Sequence, residues 1–199
     1  MATDPATEYG PGTALLVVDV QNDFADPDGS LYVGGGETAI TFINEHVAAA
    51  RRAGSLVVYT QDWHPASTPH FAKDGGIWPV HCVGGSWGAE LHPDLVVAGP
   101  SILKGTGGED GYSGFAVRDP ASGEETQTEL GAMLAERQIE RLVIVGLATD
   151  YCVKESAVDS AHRGFATTVL ADGIRAVNLR PGDGARAVAE MVDAGVDVA

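Results

Sequence analysis

The stretch Ala14-Leu15-Leu16-Val17-Val18-Asp19 (ALLVVD, residues 14–19) is five apolar residues in a row ended by a carboxylate. A strand with one wet face alternates apolar and polar residues, so an unbroken run reads as a strand buried on both faces, the signature of a parallel sheet. The flanking sequence supports this. Residues 37–53 place Ile40, Ile43, Val47 and Ala50 at helical spacing, with Gly54 as a stop. Residues 56–59 form a second strand, followed by short strands at 101–103, 142–145, 166–170 and 196–198. Helices are expected at 124–137, 151–163 and 183–194, the last capped by Asp183. Strands alternating with helices predict an α/β sandwich around a parallel sheet, with its ligand site outside the carboxyl ends of the strands. The 199 residues are expected to form a single domain (1–199).

Bulk composition narrows the function. A formal charge of −16 without a basic run argues against nucleic acid as a partner, because phosphate binding needs clustered Lys and Arg. The apolar runs are too short to span a bilayer. The opening MATDPATEYGPG lacks a basic segment followed by an apolar one, so the expectation is cytoplasmic residence. Two cysteines, Cys82 and Cys152, make no disulfide framework, and each is open to a structural or a nucleophilic role.

Three reactive residues fall at strand ends. Asp19 ends the first strand, Lys104 the third, and Cys152 follows the fourth in what reads as the first turn of a helix. A helix N-terminus and a nearby ammonium both favour a thiolate, and a carboxylate can accept the thiol proton. That set suits attack on a carbonyl. Cys82 reads as a packing residue. Two long irregular segments, 61–100 and 105–123, are the other places to look for function. The first gathers Asp62, His64, His70 and His81, three of the six histidines of the chain, a donor set suited to Zn, Mn or Fe(II). The weaker alternative is that these histidines lie on the surface of the loop. The second, glycine-rich and acidic at 105–111, is expected to be mobile. Gly34-Gly35-Gly36 and Gly105-Thr106-Gly107-Gly108 match no nucleotide-binding loop.

These pieces together resemble the nicotinamidase/pyrazinamidase family of the isochorismatase-like superfamily. The resemblance is carried, in order, by LVVDVQNDF at 16–24, DWHP at 62–65, HF at 70–71, WPVHCV at 78–83, KG at 104–105, YSGF at 112–115 and GLATDYCV at 146–153. It implies a three-layer α/β sandwich with a six-stranded parallel sheet flanked by helices. It implies a triad of Asp19, Lys104 and Cys152, and one divalent metal ion (Zn, Fe or Mn) held by Asp62, His64, His70 and His81. A cis peptide between Leu147 and Ala148 is implied too, with the N–H groups of Ala148 and Cys152 as the oxyanion hole. Phe24, Trp78 and Tyr112 are the expected walls for a flat ring. The implied activity is hydrolysis of nicotinamide to nicotinate and ammonia through a thioester, also on pyrazinamide, within NAD salvage. The small-molecule substrate is the implied partner, and a homo-oligomer is compatible with the sequence. The competing readings are another isochorismatase-like amidohydrolase and a non-catalytic metal-binding protein.

Overall fold

A computed structural model describes residues 9–199. The segment that bears most on a secretory leader, residues 1–8, lies outside the described residues. The main sheet has six parallel strands in the order β3-β2-β1-β6-β7-β8. Its members are β1 (Thr13–Val18), β2 (Leu56–Asp62), β3 (Ser101–Lys104), β6 (Arg141–Leu147), β7 (Ala166–Arg175) and β8 (Asp197–Val198). A two-stranded antiparallel hairpin, β4 (Ala116–Arg118) and β5 (Glu125–Gln127), stands apart from it.

Period-2 alternation sorts the strand residues into two cores. Leu15 and Val17 face one side with Val57, Tyr59, Val143 and Val145, and pack on Ile40, Ile43 and Val47 of helix α2 (Gly36–Arg52). Ala14, Leu16 and Val18 face the other side with Val58, Leu142 and Ile144. That face is covered by α3 (Leu130–Glu136), α4 (Lys154–His162) and α5 (Asp183–Asp193) through Leu130, Leu134, Ala157 and Met191. The result is the expected three-layer sandwich. All six residues of β1 are buried, as its unbroken apolar run requires. A short helix, α1 (Asn22–Ala25), follows it.

The chain steps from β1 to β2 and β3 on one side, then returns to the other side of β1 as β6. Such a reversal leaves a crevice at the carboxyl ends of the two central strands. Register makes this concrete: Asp62 pairs with Lys104 across β2 and β3, and Val18 pairs with Gly146 across β1 and β6. Strand β6 is irregular between Ile144 and Gly146. Gly146 has φ +118°, and a Cβ there would lie 2.1 Å from the Val18 carbonyl oxygen.

Three sequence expectations need correction. The smallest concerns the cap of α5: Asp183 is its first residue, and the N-cap is Gly182, with no side-chain capping bond. Residues 124–137 are not one helix: Glu125, Thr126 and Gln127 are all exposed and form β5, turned back by Gly123 at φ +75°. No apolar stripe exists there to hold a helix against the core. Helix α3 starts only after Thr128, whose hydroxyl accepts the Leu130 N–H at 3.2 Å. Nor does Cys152 open an α-helix. It sits in a π-helical turn, Thr149–Val153, that precedes α4, with the Val153 N–H donating to the Ala148 carbonyl. Among the described residues no helix is long and apolar enough to cross a membrane.

Gly146→Ala is expected to cost about 2–4 kcal/mol, from the displaced Val18 carbonyl and the strained φ. Urea unfolding checks it; a variant within about 0.5 kcal/mol of wild type would mean that the β1–β6 junction is looser than described.

Candidate active site

Lys104 is the centre of the site. It is fully buried at the end of β3, with Nζ 2.7 Å from Asp19 Oδ2 and 2.9 Å from Asp62 Oδ1. Its third partner is the Gly111 carbonyl at 2.5 Å. The Asp62 oxygen receives charge compensation but lies off hydrogen-bonding directions. Burial alone would depress the Lys104 pKa, yet Asp19 and Asp62 push it well above its ordinary value. Lys104 is therefore an ammonium at neutral pH.

Asp19 follows β1 at φ +49°, a backbone turn that aims its carboxylate along the sheet edge. The Thr60 hydroxyl donates to its Oδ1 at 2.6 Å. Burial, only partly offset by Lys104, raises the pKa of Asp19. Asp62 is buried as well, but Lys104, His64 and His81 outweigh that effect and hold it below the usual carboxylate range. The two carboxylates of one cluster are thus driven apart in proton affinity. Gln21 fixes the end of β2 from the side: it accepts the Asp62 N–H and donates to the Asp62 and Ala89 carbonyls, each at 2.8 Å.

Cys152 Sγ lies with oxygens of Asp19 and Asp62 inside a group whose atoms are all within 4.8 Å of one another. The sequence led us to expect a thiolate favoured by a helix terminus. Instead burial pushes the thiol well above its ordinary value, and two carboxylates oppose the single Lys104. The resting sulfur keeps its proton, with an acceptor beside it. Cys82 is also buried, and its N–H donates to Asp23 Oδ2 at 2.7 Å. That carboxylate also takes the Ser30 N–H at 3.0 Å, tying the His81 segment to the wall around Leu31.

The histidines converge next to Asp62. One ring nitrogen from each of His64, His70 and His81 falls within 4.8 Å of the others. Asp62 Oδ2 is 3.8 Å from His64 Nε2 and 3.9 Å from His81 Nε2. His70 Nδ1 meets Asp110 Oδ1 at 2.6 Å, and His81 Nδ1 meets the Pro79 carbonyl at 2.8 Å. Both rings are thereby oriented with Nε2 left over. His64 is buried with neither ring nitrogen hydrogen-bonded. Buried imidazoles without partners are costly, and a cation among these lone pairs removes the cost. Burial also lowers the His81 pKa to about 4, keeping it neutral as a ligand must be. These residues fit one divalent ion, and the His₃Asp set suits Zn, Mn or Fe(II).

A narrow cavity, about 390 Å³ with the open solvent of its mouth included, opens onto both clusters. Phe24, Trp78 and Tyr112 all line it, as do Ala148 and Cys152. Trp78 donates from Nε1 to the Tyr112 hydroxyl at 2.8 Å. The peptide from Leu147 to Ala148 is cis, as expected. Tyr151, Leu31, Val33, Leu147 and Val177 complete the wall and were missed from sequence. Tyr151 was visible beside Cys152, with its ring edge-on to Trp78 at 4.8 Å. The four aliphatic residues carry no chemical signal that would set them apart from core.

Matches to known proteins agree with this geometry. The isochorismatase domain model matches residues 13–199. The chain belongs to the isochorismatase family, in its nicotinamidase/pyrazinamidase branch. The nicotinamidase of Escherichia coli (strain K12) is 36% identical, with 93% of each chain covered. The pyrazinamidase of Pyrococcus horikoshii, solved in complex with zinc, superposes with TM-score 0.84 at 36% identity, covering 95% of this chain and 99% of the other. A protein from L. infantum in complex with nicotinate gives TM-score 0.86 at 36% identity over 95% and 92% of the two chains. A buried Lys104 between two buried carboxylates is a charge cluster that stands or falls together.

Lys104→Met is expected to cost about 3–5 kcal/mol near pH 7, because it strands two buried carboxylates. Those groups would then bind protons more tightly folded than unfolded, so the deficit shrinks on acidification through the carboxylate range and grows as pH rises. Denaturant unfolding at several pH values reads this directly. A deficit independent of pH would show that lost packing, not stranded charge, is responsible.

Proposed function

We propose that this protein is a nicotinamidase: a cysteine amidohydrolase that converts nicotinamide to nicotinate and ammonia, accepts pyrazinamide, and so feeds NAD salvage. The observation that carries this reading is one small aromatic-walled cavity that touches Cys152 and the histidine cluster at once. A planar ring with a nitrogen on one side and a carboxamide on the other bridges those two features. Asp62, His64, His70 and His81 would hold a divalent ion, which would supply Lewis-acid binding to such a ring nitrogen. Phe24, Trp78 and Tyr112 flank the ring.

In the reaction, Asp19 accepts the proton of the Cys152 thiol as sulfur attacks the carboxamide carbon. The raised proton affinity of Asp19 suits this exchange, because neither partner is a strong acid in its buried setting. The N–H groups of Ala148 and Cys152 hold the tetrahedral oxyanion. Asp19 returns the proton to the leaving nitrogen, ammonia departs, and a Cys152 thioester remains. Asp19 then takes a proton from the water that attacks the thioester and passes it to the departing sulfur, which restores both thiol and Asp19 carboxylate. The acid formed gives up its remaining proton to solvent and leaves as the carboxylate. Lys104 holds Asp19 in place and keeps the cluster from accumulating uncompensated negative charge. The lining contains no Arg or Lys, so it offers no guanidinium or ammonium to pair with a substrate carboxylate. That favours a neutral ring amide over an anionic linear one.

Ammonia release tests the proposal. Nicotinamide and pyrazinamide are expected to be hydrolysed, and benzamide, which lacks the ring nitrogen, to be at least about tenfold poorer in kcat/KM. Maleamate, a linear amide that carries a carboxylate, is expected to be poorer still. Equal rates for benzamide and nicotinamide would remove the ring-nitrogen anchor, and preference for maleamate would refute the substrate class.

A further inference from the structure

Asp110 and Gly111 close the glycine-rich stretch 105–111 that the sequence marks as mobile, and Tyr112 follows it. This segment is instead anchored on both sides. The Asp110 N–H donates to the Arg118 carbonyl at 2.8 Å and its carbonyl accepts the Arg118 N–H at 2.9 Å, which joins it to strand β4. The three residues then reach three parts of the site. The Asp110 carboxylate meets His70 Nδ1 at 2.6 Å. The Gly111 carbonyl accepts from Lys104 Nζ and lies 4.0 Å from Cys152 Sγ. The Tyr112 hydroxyl accepts from Trp78. A Cβ on Gly111 would come within 2.8 Å of the Lys104 Cβ, so the chain passes here as closely as a backbone can.

The three clustered histidines differ in what orients them. His81 Nδ1 meets a backbone carbonyl, His64 Nδ1 has no partner, and His70 Nδ1 alone meets a carboxylate. An imidazole that donates Nδ1–H to a carboxylate is fixed in the Nδ1–H tautomer with its Nε2 lone pair free, held in one ring orientation, and made a stronger electron-pair donor. Asp110 also couples that histidine to the hairpin, because the residue that orients His70 is itself pinned by β4.

We propose that Asp110 is a positioning residue for the metal centre: through His70 it sets the affinity of the site for its ion, and the β4–β5 hairpin is the brace that holds it there. This rests on the reading that His70 is a metal ligand. Asp110 does not line the cavity, so it acts on the site through His70.

The test uses the full chain stripped by a chelator, then titrated with Zn²⁺ against a chromophoric competitor and with Co²⁺ by visible absorption. Asp110→Ala is expected to weaken Zn²⁺ binding by about ten- to hundredfold and to alter the Co²⁺ d–d bands. The melting temperature of the metal-free protein should be unchanged. Asp110→Asn is expected to stay within a few-fold of wild type, because its amide oxygen still accepts from Nδ1–H. In a His70→Ala background, Asp110→Ala should add nothing. Wild-type Zn²⁺ affinity in Asp110→Ala, or an equal loss in the His70→Ala background, would overturn the proposal. Wild-type affinity in His70→Ala itself would instead overturn the assignment of His70 as a ligand, and this inference with it.

Discussion

One buried ammonium organises this molecule. Lys104 sits at the end of β3 with Asp19 from β1 and Asp62 from β2 around it, and none of the three reaches solvent to any useful extent. A charge taken out of water needs its partners in near-ideal geometry. The three strands must therefore lie side by side, parallel, with their carboxyl ends level. The register that pairs Asp62 with Lys104 is the structural expression of that demand. The core would tolerate many apolar substitutions in β1, β2 and β3, but a shift of one residue would bury a carboxylate without a cation.

The same constraint shapes the chemistry. Two carboxylates and one ammonium leave the cluster with an excess negative charge before any thiol ionises. A preformed thiolate at Cys152 would add to that excess, so in the proposed reaction the sulfur gives up its proton only as it forms a bond. Asp62 belongs to both halves of the site, since one oxygen faces Lys104 and the other faces His64 and His81. A cation bound at the histidines would relieve the excess charge at the sulfur side, and in the proposed reaction this would couple the two halves electrostatically. Gly111 extends that link through the backbone by touching Lys104 and lying near Cys152.

Much of this was legible in the sequence, for identifiable reasons. The buried strand at 14–18 announces itself because a parallel strand carries apolar residues on both faces. Asp19, Lys104 and Cys152 stand out because reactive side chains follow strand ends, and the histidines stand out because three of them crowd one loop. Asp110 was not legible. An acidic residue in a glycine-rich stretch looks like solvated loop until the fold brings His70 to it from forty residues away. Hairpin β4–β5 escaped notice because its strands are three residues each and mostly exposed, leaving no hydrophobic period to read. The nucleophile's turn was misread because Tyr151 to Arg163 has good helical composition, while the π-turn before α4 depends on how the chain leaves β6.

The most direct test asks whether substrate becomes covalently attached to Cys152. Protein mixed rapidly with excess nicotinamide, quenched in acid within the first turnovers and analysed by peptide mass spectrometry should carry a nicotinoyl group on the peptide containing Cys152. None should appear on the peptide containing Cys82. Cys152→Ala should show neither adduct nor ammonia. Sustained ammonia release from Cys152→Ala, or an adduct confined to Cys82, would contradict the account, because the attacking group would then lie outside the cluster that Lys104 organises.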